Sequence, residues 1–155
     1  MEKQTYFSHE ALARFVSAQG KTVNKIICHL WQNNIEKQGS VEIIDNLELH
    51  FTDGQKLTIA CNENGDGLDA IQYDYKEAAK QIQQEFNGKI KLFAVDASGT
   101  KMWQDVTGKI LESVRITKDG ENHLSESVLL CFGDNERRIV SISPMDGLVI
   151  DYYED

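Results

Sequence analysis

Proline is almost missing from this sequence, with Pro144 the single one in 155 residues. No low-complexity tract and no block of like charge takes its place as a linker, so one domain over 1–155 is expected. Arginine is scarce as well: Arg14, Arg115, Arg137 and Arg138 stand in a chain with 25 acidic residues, 16 Lys plus Arg and a net charge of −9. Phosphate contacts need clustered cations, so the composition argues against nucleic acid and against an anionic membrane surface as partners. No apolar run approaches the roughly 18 residues of a membrane span. The start, Met1 to Ser8, has no basic stretch followed by an apolar one, so no signal peptide is read there and a cytoplasmic location is expected. Cys28, Cys61 and Cys131 are odd in number and scattered without a C-x-x-C pair, which reads as reduced core thiols rather than a disulfide framework or a zinc site. G-x-S-x-G, H-E-x-x-H, G-x-G-x-x-G and the P-loop are all missing. The expectation is a non-enzymatic chain with no cofactor.

What is present suffices for a fold. Hydrophobic residues make up 41% of the chain, and at this length a single core buries roughly 70% of the surface of the unfolded chain, so no staple is required. Ser8 before Leu12, Phe15 and Val16 predicts an N-capped helix that stops at Gly20. Asp74 and Glu77 form a capping-box pattern ahead of the stripe Tyr75, Ala78, Ala79, Ile82 and Phe86, predicting a helix over 75–87, then a strand over 89–95 and a loop from Asp96 to Thr107 that carries Trp103.

The segment 22–31 fits both periods, and an internal similarity decides it. Leu47 to Gly54, Leu57-Thr58-Ile59 and Asp66-Gly67-Leu68 recur as Val128 to Asn135, Val140-Ser141-Ile142 and Asp146-Gly147-Leu148, about 80 residues on, and each set follows a Gly-Lys-x-aliphatic pattern, at Gly20-Lys21 and Gly108-Lys109. The counterpart of 22–31 alternates through Ile110, Val114 and Ile116, so 22–31 is read as a strand. Asp53-Gly54 predicts a type I′ hairpin with both residues at positive φ, and Asp134-Asn135 a similar turn. The fold class expected is α+β: two related antiparallel β units from an internal duplication, approximately 20–74 and 108–155, with an N-terminal helix and a helix between them covering apolar sheet faces.

Candidate chemistry is thin. Asn62, Asn64 and Asp66 before Gly67 open like a calcium loop, but the twelfth position is Tyr73 instead of a bidentate glutamate, and the second copy keeps only Asp-Gly-Leu, so a structural turn is the preferred reading. Cys28 and His29 are neighbours, and neighbours in a strand point to opposite faces. The same holds for His50 against Cys61, giving core cysteines and surface histidines with no nucleophile beside a base. From Asp119 to the end there are nine acids and two bases, so most of the negative charge is C-terminal. Asp146, Asp151 and Glu154, with Tyr152, Tyr153 and Trp103 as aromatic anchors, are the candidate partner-binding residues. A groove between the two units, near Trp31 or Trp103, is the candidate site for a small molecule or a cation.

The Gly-Lys-x-Val-x-x-Ile segment, the Leu-Glu-Leu-His-Phe-Thr-Asp-Gly hairpin and the final Asp-Gly-Leu-Val-Ile-Asp-Tyr-Tyr-Glu look like those of small uncharacterised bacterial proteins. The chain also loosely resembles immunity-type proteins, short acidic cytosolic chains that neutralise a toxin. That resemblance implies binding rather than catalysis. Charge then places carboxylates such as Asp146 and Asp151 opposite a basic protein partner.

Overall fold

The computed structural model describes residues 5–33, 41–62, 65–87, 90–143 and 147–153. Helix α1 (His9–Ala18) begins where the Ser8 hydroxyl accepts the Ala11 N–H at 3.1 Å, and it buries Ala11, Phe15 and Ala18. The ambiguous segment is a strand, β1 (Val23–Asn33), paired antiparallel on one side with β2 (Val41–Phe51) and on the other with β5 (Ile90–Asp96). Two ladders of backbone hydrogen bonds outweigh the helical spacing of its apolar residues. β3 (Lys56–Cys61) and β4 (Leu68–Ile71) continue the meander. Helix α2 (Tyr75–Phe86) follows, with the Asp74 carboxylate accepting the Glu77 N–H at its start and Asn87, at φ 52°, ending it. After β5 come β6 (Leu111–Arg115), the small hairpin β7 (Lys118–Asp119) and β8 (Asn122–His123), β9 (Ser127–Phe132), β10 (Arg137–Ser143) and β11 (Gly147–Tyr152).

The chain is mixed α+β and mostly β, with two α-helices among the described residues and one large curled sheet ordered β4-β3-β2-β11-β10-β9-β6, β1 lying along the other edge of β2. The first hairpin departs from the expected turn. Gly54 alone has positive φ (85°), and a three-residue loop closes with the Phe51 N–H donating to the Gln55 carbonyl, while the Asp53 carboxylate accepts the Gln55 N–H. Two consecutive left-handed residues occur instead at Asp134 and Asn135, φ 62° and 63°.

The meander β6-β9-β10-β11 follows the register of β1-β2-β3-β4. Val23↔Phe51 and Ile26↔Leu49 correspond to Leu111↔Phe132 and Val114↔Leu130, with a register shift after Val23 and after Leu111. Leu47↔Ile59 and Ile59↔Ala70 correspond to Val128↔Val140 and Val140↔Ile150. The two Gly-Lys segments cross one another reciprocally: Val23 N–H donates to Lys109 O and Leu111 N–H to Lys21 O, both at 2.9 Å, and Gly20 N–H donates to Leu111 O and Gly108 N–H to Val23 O, both at 2.7 Å. Each lysine also pairs with the hairpin aspartate of its own meander, Lys21 with Asp53 at 2.9 Å and Lys109 with Asp134.

Each Asp-Gly-Leu element starts a strand that grips the other meander. Leu68 N–H donates to Ser125 O at 2.7 Å, and Gly147 bridges Ile44 of β2. A Cβ on Gly147 would lie 2.6 Å from the Ile44 carbonyl oxygen, and φ there is 72°, so only glycine fits. A Cβ on Gly67 would collide with the Ser125 hydroxyl. The inner faces of both meanders share one core, Leu47, Leu49, Ile59 and Leu68 packing with Leu111, Val128, Leu130, Val140 and Leu148. Phe15 closes one side of it and Trp103 the other, the latter edge-on to Phe132 at 6.4 Å.

Candidate functional site

Period-two alternation in β2 sends Leu47, Leu49 and Phe51 into the core and Asn46, Glu48 and His50 to the opposite face. The register adds His29 from β1 and Lys56 and Thr58 from β3 to that second face. It does not lie open. Tyr73 and Tyr75, at the entry to α2, both have ring centroids 4.9 Å from the His29 imidazole, and the Tyr75 hydroxyl donates to Leu92 O of β5. His29 is 2% exposed and Glu48 4%.

Beneath this cover the Glu48 carboxylate gathers donors. His29 Nε2 bonds Oε1, Lys56 Nζ stands 2.8 Å from Oε2, the Thr58 hydroxyl lies 3.5 Å from Oε2, and His50 Nε2 is 3.8 Å from Oε1. Burial on its own raises the pKa of Glu48, but the bonds from His29 and Lys56 outweigh it and hold the carboxyl down at about 2. Burial lowers His50, partly offset by Glu48, and raises the Tyr73 phenol. A carboxylate held this low and enclosed by donors is a poor base at neutral pH, and His29 is buried beneath the two tyrosines. The cluster is suited to fixing β1, β2 and β3 against α2, not to moving protons.

The expectation of surface histidines is therefore corrected at His29, which is buried because Tyr73 and Tyr75, at the entry to α2, close over the outer sheet face there. Cys28 points the other way, into the core, and burial pushes its thiol up to about 11. Cys131 is buried as well. In the calcium-like loop, Asn62 and Asp66 bond each other, Asn62 Nδ2 donating to Asp66 Oδ1 at 2.8 Å and Asp66 N–H to Asn62 Oδ1 at 3.1 Å. Their oxygens hold the turn together; Asn64 lies outside the described residues.

Of the C-terminal residues, Asp146 and Glu154 lie outside the described residues, while Asp151, Tyr152 and Tyr153 are exposed in succession at the end of β11. Trp103 does not join them. It is 2% exposed, because the loop carrying it folds inward to close the core. The aromatic surface is built on Arg138 instead, a buried guanidinium 4.5 Å from the Tyr152 ring centroid that donates to Met102 O, Arg137 O and Glu136. The Tyr152 hydroxyl in turn donates to Lys101 O, so the ring is held while remaining 47% exposed. Tyr153 N–H donates to Arg137 O. By the alternation of an antiparallel ladder, the backbone groups of Ile150 and Tyr152 then point away from β10, and the Asp151 carboxylate accepts the Tyr152 N–H at 2.8 Å. Among the described residues, only Gly147 of β11 pairs on that outer side.

A cavity of about 280 Å³ sits where β2 and β3 meet β10 and β11, lined by Trp31, Ile43, Ile44, Cys61 and Ile142 with Asp45 as its charged member. Trp31, one of the two positions expected to border a groove, lines it. Sequence reasoning missed the Glu48 cluster, since Glu48, His50, Lys56 and Thr58 read as the solvent side of a hairpin.

The fold and site define a mixed α+β chain of two interlocked β meanders bearing a fixed acidic and aromatic strand end. No family model, no curated protein and no solved structure matches it.

Proposed function

We propose that this chain is a protein-binding module that takes a basic, extended segment of a partner along β11. The observation that carries the reading is the succession Asp151, Tyr152 and Tyr153, exposed together at the end of a strand on whose outer side, among the described residues, only Gly147 pairs. A strand edge supplies backbone hydrogen bonds, the tyrosines supply rigid contact area, and Asp151 selects for positive charge. The net charge of −9 steers such a partner, and an immunity-type role, in which a small acidic chain neutralises a basic protein in the cytoplasm, is the form this binding takes. We also propose that the two meanders descend from one duplicated unit. The matched registers, the reciprocal Gly-Lys crossing and the paired Asp-Gly-Leu clasps support it.

The test is a photo-crosslinking residue at Val149, which is 39% exposed on β11, in the cell from which the chain comes. A basic protein crosslinked there, lost in Asp151→Lys and weakened by salt, supports the reading. Equal crosslinking from a probe at the distant Val16, or capture unchanged in Asp151→Lys, overturns it.

A further inference from the structure

We infer that a furrow between α1 and β6 binds an amphipathic acid, an unbranched acyl chain ending in a carboxylate. The furrow has a volume of about 530 Å³, within the range of about 300–1,000 Å³ usual for small-molecule sites. Its walls are Leu12, Phe15 and Val16 from α1 and Val114 and Ile116 from β6 and the residue beyond it. α1 already buries Ala11, Phe15 and Ala18 in the core. Val16 belongs to a second apolar stripe with Leu12, one turn away, and stays 66% exposed.

The shared architecture does not require this stripe. Matching the two Gly-Lys segments places Thr100 and Gln104 of the other half at the positions of Leu12 and Val16, where the chain presents polar side chains. The floor is also ready for an apolar guest. The Gln19 side-chain oxygen accepts the Val114 N–H at 2.8 Å, so this edge of β6 exposes no hungry donor at that point.

Charge selects the head group. Among the described residues, every ionisable side chain lining the furrow is basic, Arg115, Lys118 and His123, in a chain where acids outnumber Lys plus Arg 25 to 16. Lys118 and His123 face each other across the β7–β8 hairpin. The neighbouring Asp119 accepts the Tyr6 hydroxyl at 2.8 Å and is not part of the lining. Among the described residues, neither Arg115 nor Lys118 is in an ion pair. Apolar walls with an unneutralised cationic end match a chain with an anionic head.

The experiment titrates the full chain with octanoate, decanoate and decan-1-ol, each below its aggregation concentration, following methyl resonances of Val16, Val114 and Ile116. Saturable shifts are expected with decanoate, with affinity about tenfold higher than for octanoate because two further methylenes are buried. Decan-1-ol binds more weakly. Val16→Asp, at an exposed position, abolishes binding without lowering the melting temperature, and Arg115→Glu with Lys118→Glu removes the preference for decanoate over the alcohol. No saturable shift, no dependence on chain length, equal binding of the alcohol, or unchanged binding in Val16→Asp overturns the proposal.

Discussion

Replacing Glu48 by glutamine tests the buried charge cluster with little change of shape. A carboxyl held at about 2, against an ordinary 4.5, contributes about 3 kcal/mol to stability at neutral pH. Because the folded-state pKa is lowered, the contribution is complete above about 4.5 and fades as the pH falls through about 2. Glu48→Gln keeps an acceptor for His29 but not the charge that Lys56 and His29 surround, so a loss of about 3 kcal/mol is expected at pH 7, a fall in melting temperature of about 6–12 °C for a chain of this size. Urea unfolding of both proteins, followed by tryptophan fluorescence from pH 7 down to pH 2, gives the gap directly. It narrows from about 3 kcal/mol towards zero across that range. A gap that does not change with pH, or no gap at pH 7, refutes the electrostatic account. The other meander supplies a control: its register places Leu129 where Glu48 stands and Ile139 where Thr58 stands. Glu48→Leu alone strands His29 and Lys56, whereas Glu48→Leu with His29→Leu recovers part of the loss.

Gly147→Ala and Gly54→Ala both place a side chain at positive φ, costing about 1–2 kcal/mol, but only Gly147 abuts backbone, 2.6 Å from the Ile44 carbonyl. Thermal unfolding therefore falls further for Gly147→Ala, and equal losses contradict the clasp. Ser8→Ala removes the cap of a helix that buries three residues and lowers global stability by about 1 kcal/mol, whereas Asp74→Ala, on a helix with no fully buried residue, shows first in faster amide exchange over the start of α2. With a disulfide-exchange reagent at pH 8, Cys28 reacts only on unfolding, and the partly exposed Cys61 reacts ahead of it. Arg138→Met removes a 1% exposed cation together with its bonds to Met102, Arg137 and Glu136. Its expected signature is a looser Tyr152 ring, read as a change in the chemical shifts of its ring protons; an unchanged ring environment contradicts the stacking.

Much of the ladder was legible along the chain. Leu47, Leu49 and Phe51 alternate with polar residues at the period of a strand, the caps at Ser8 and Asp74 mark helix starts, and the Gly-Lys and Asp-Gly-Leu landmarks recur in one order. These signals are local: backbone sterics, side-chain caps and the two-residue pleat act within a few positions, so the sequence alone determined where elements begin and which faces of each strand are apolar. The landmarks also settled β1 as a strand where periodicity left two readings.

Burial of polar groups and convergence of distant residues were decided only by the tertiary structure. His29 and Glu48 do point away from the core, as alternation says, but Tyr73 and Tyr75, at the entry to α2, pack over His29, and no pattern in β1 or β2 records what another element will cover. Trp103 reads along the chain as an aromatic anchor, and only the structure shows the 97–107 loop closing the core with it beside Phe132. Gly147 reads as a turn glycine, yet the carbonyl that excludes a Cβ there belongs to Ile44, some hundred positions earlier in the chain. Such contacts form between surfaces whose pairing depends on the whole sheet's curl, so local chemistry along the chain does not encode them one residue at a time.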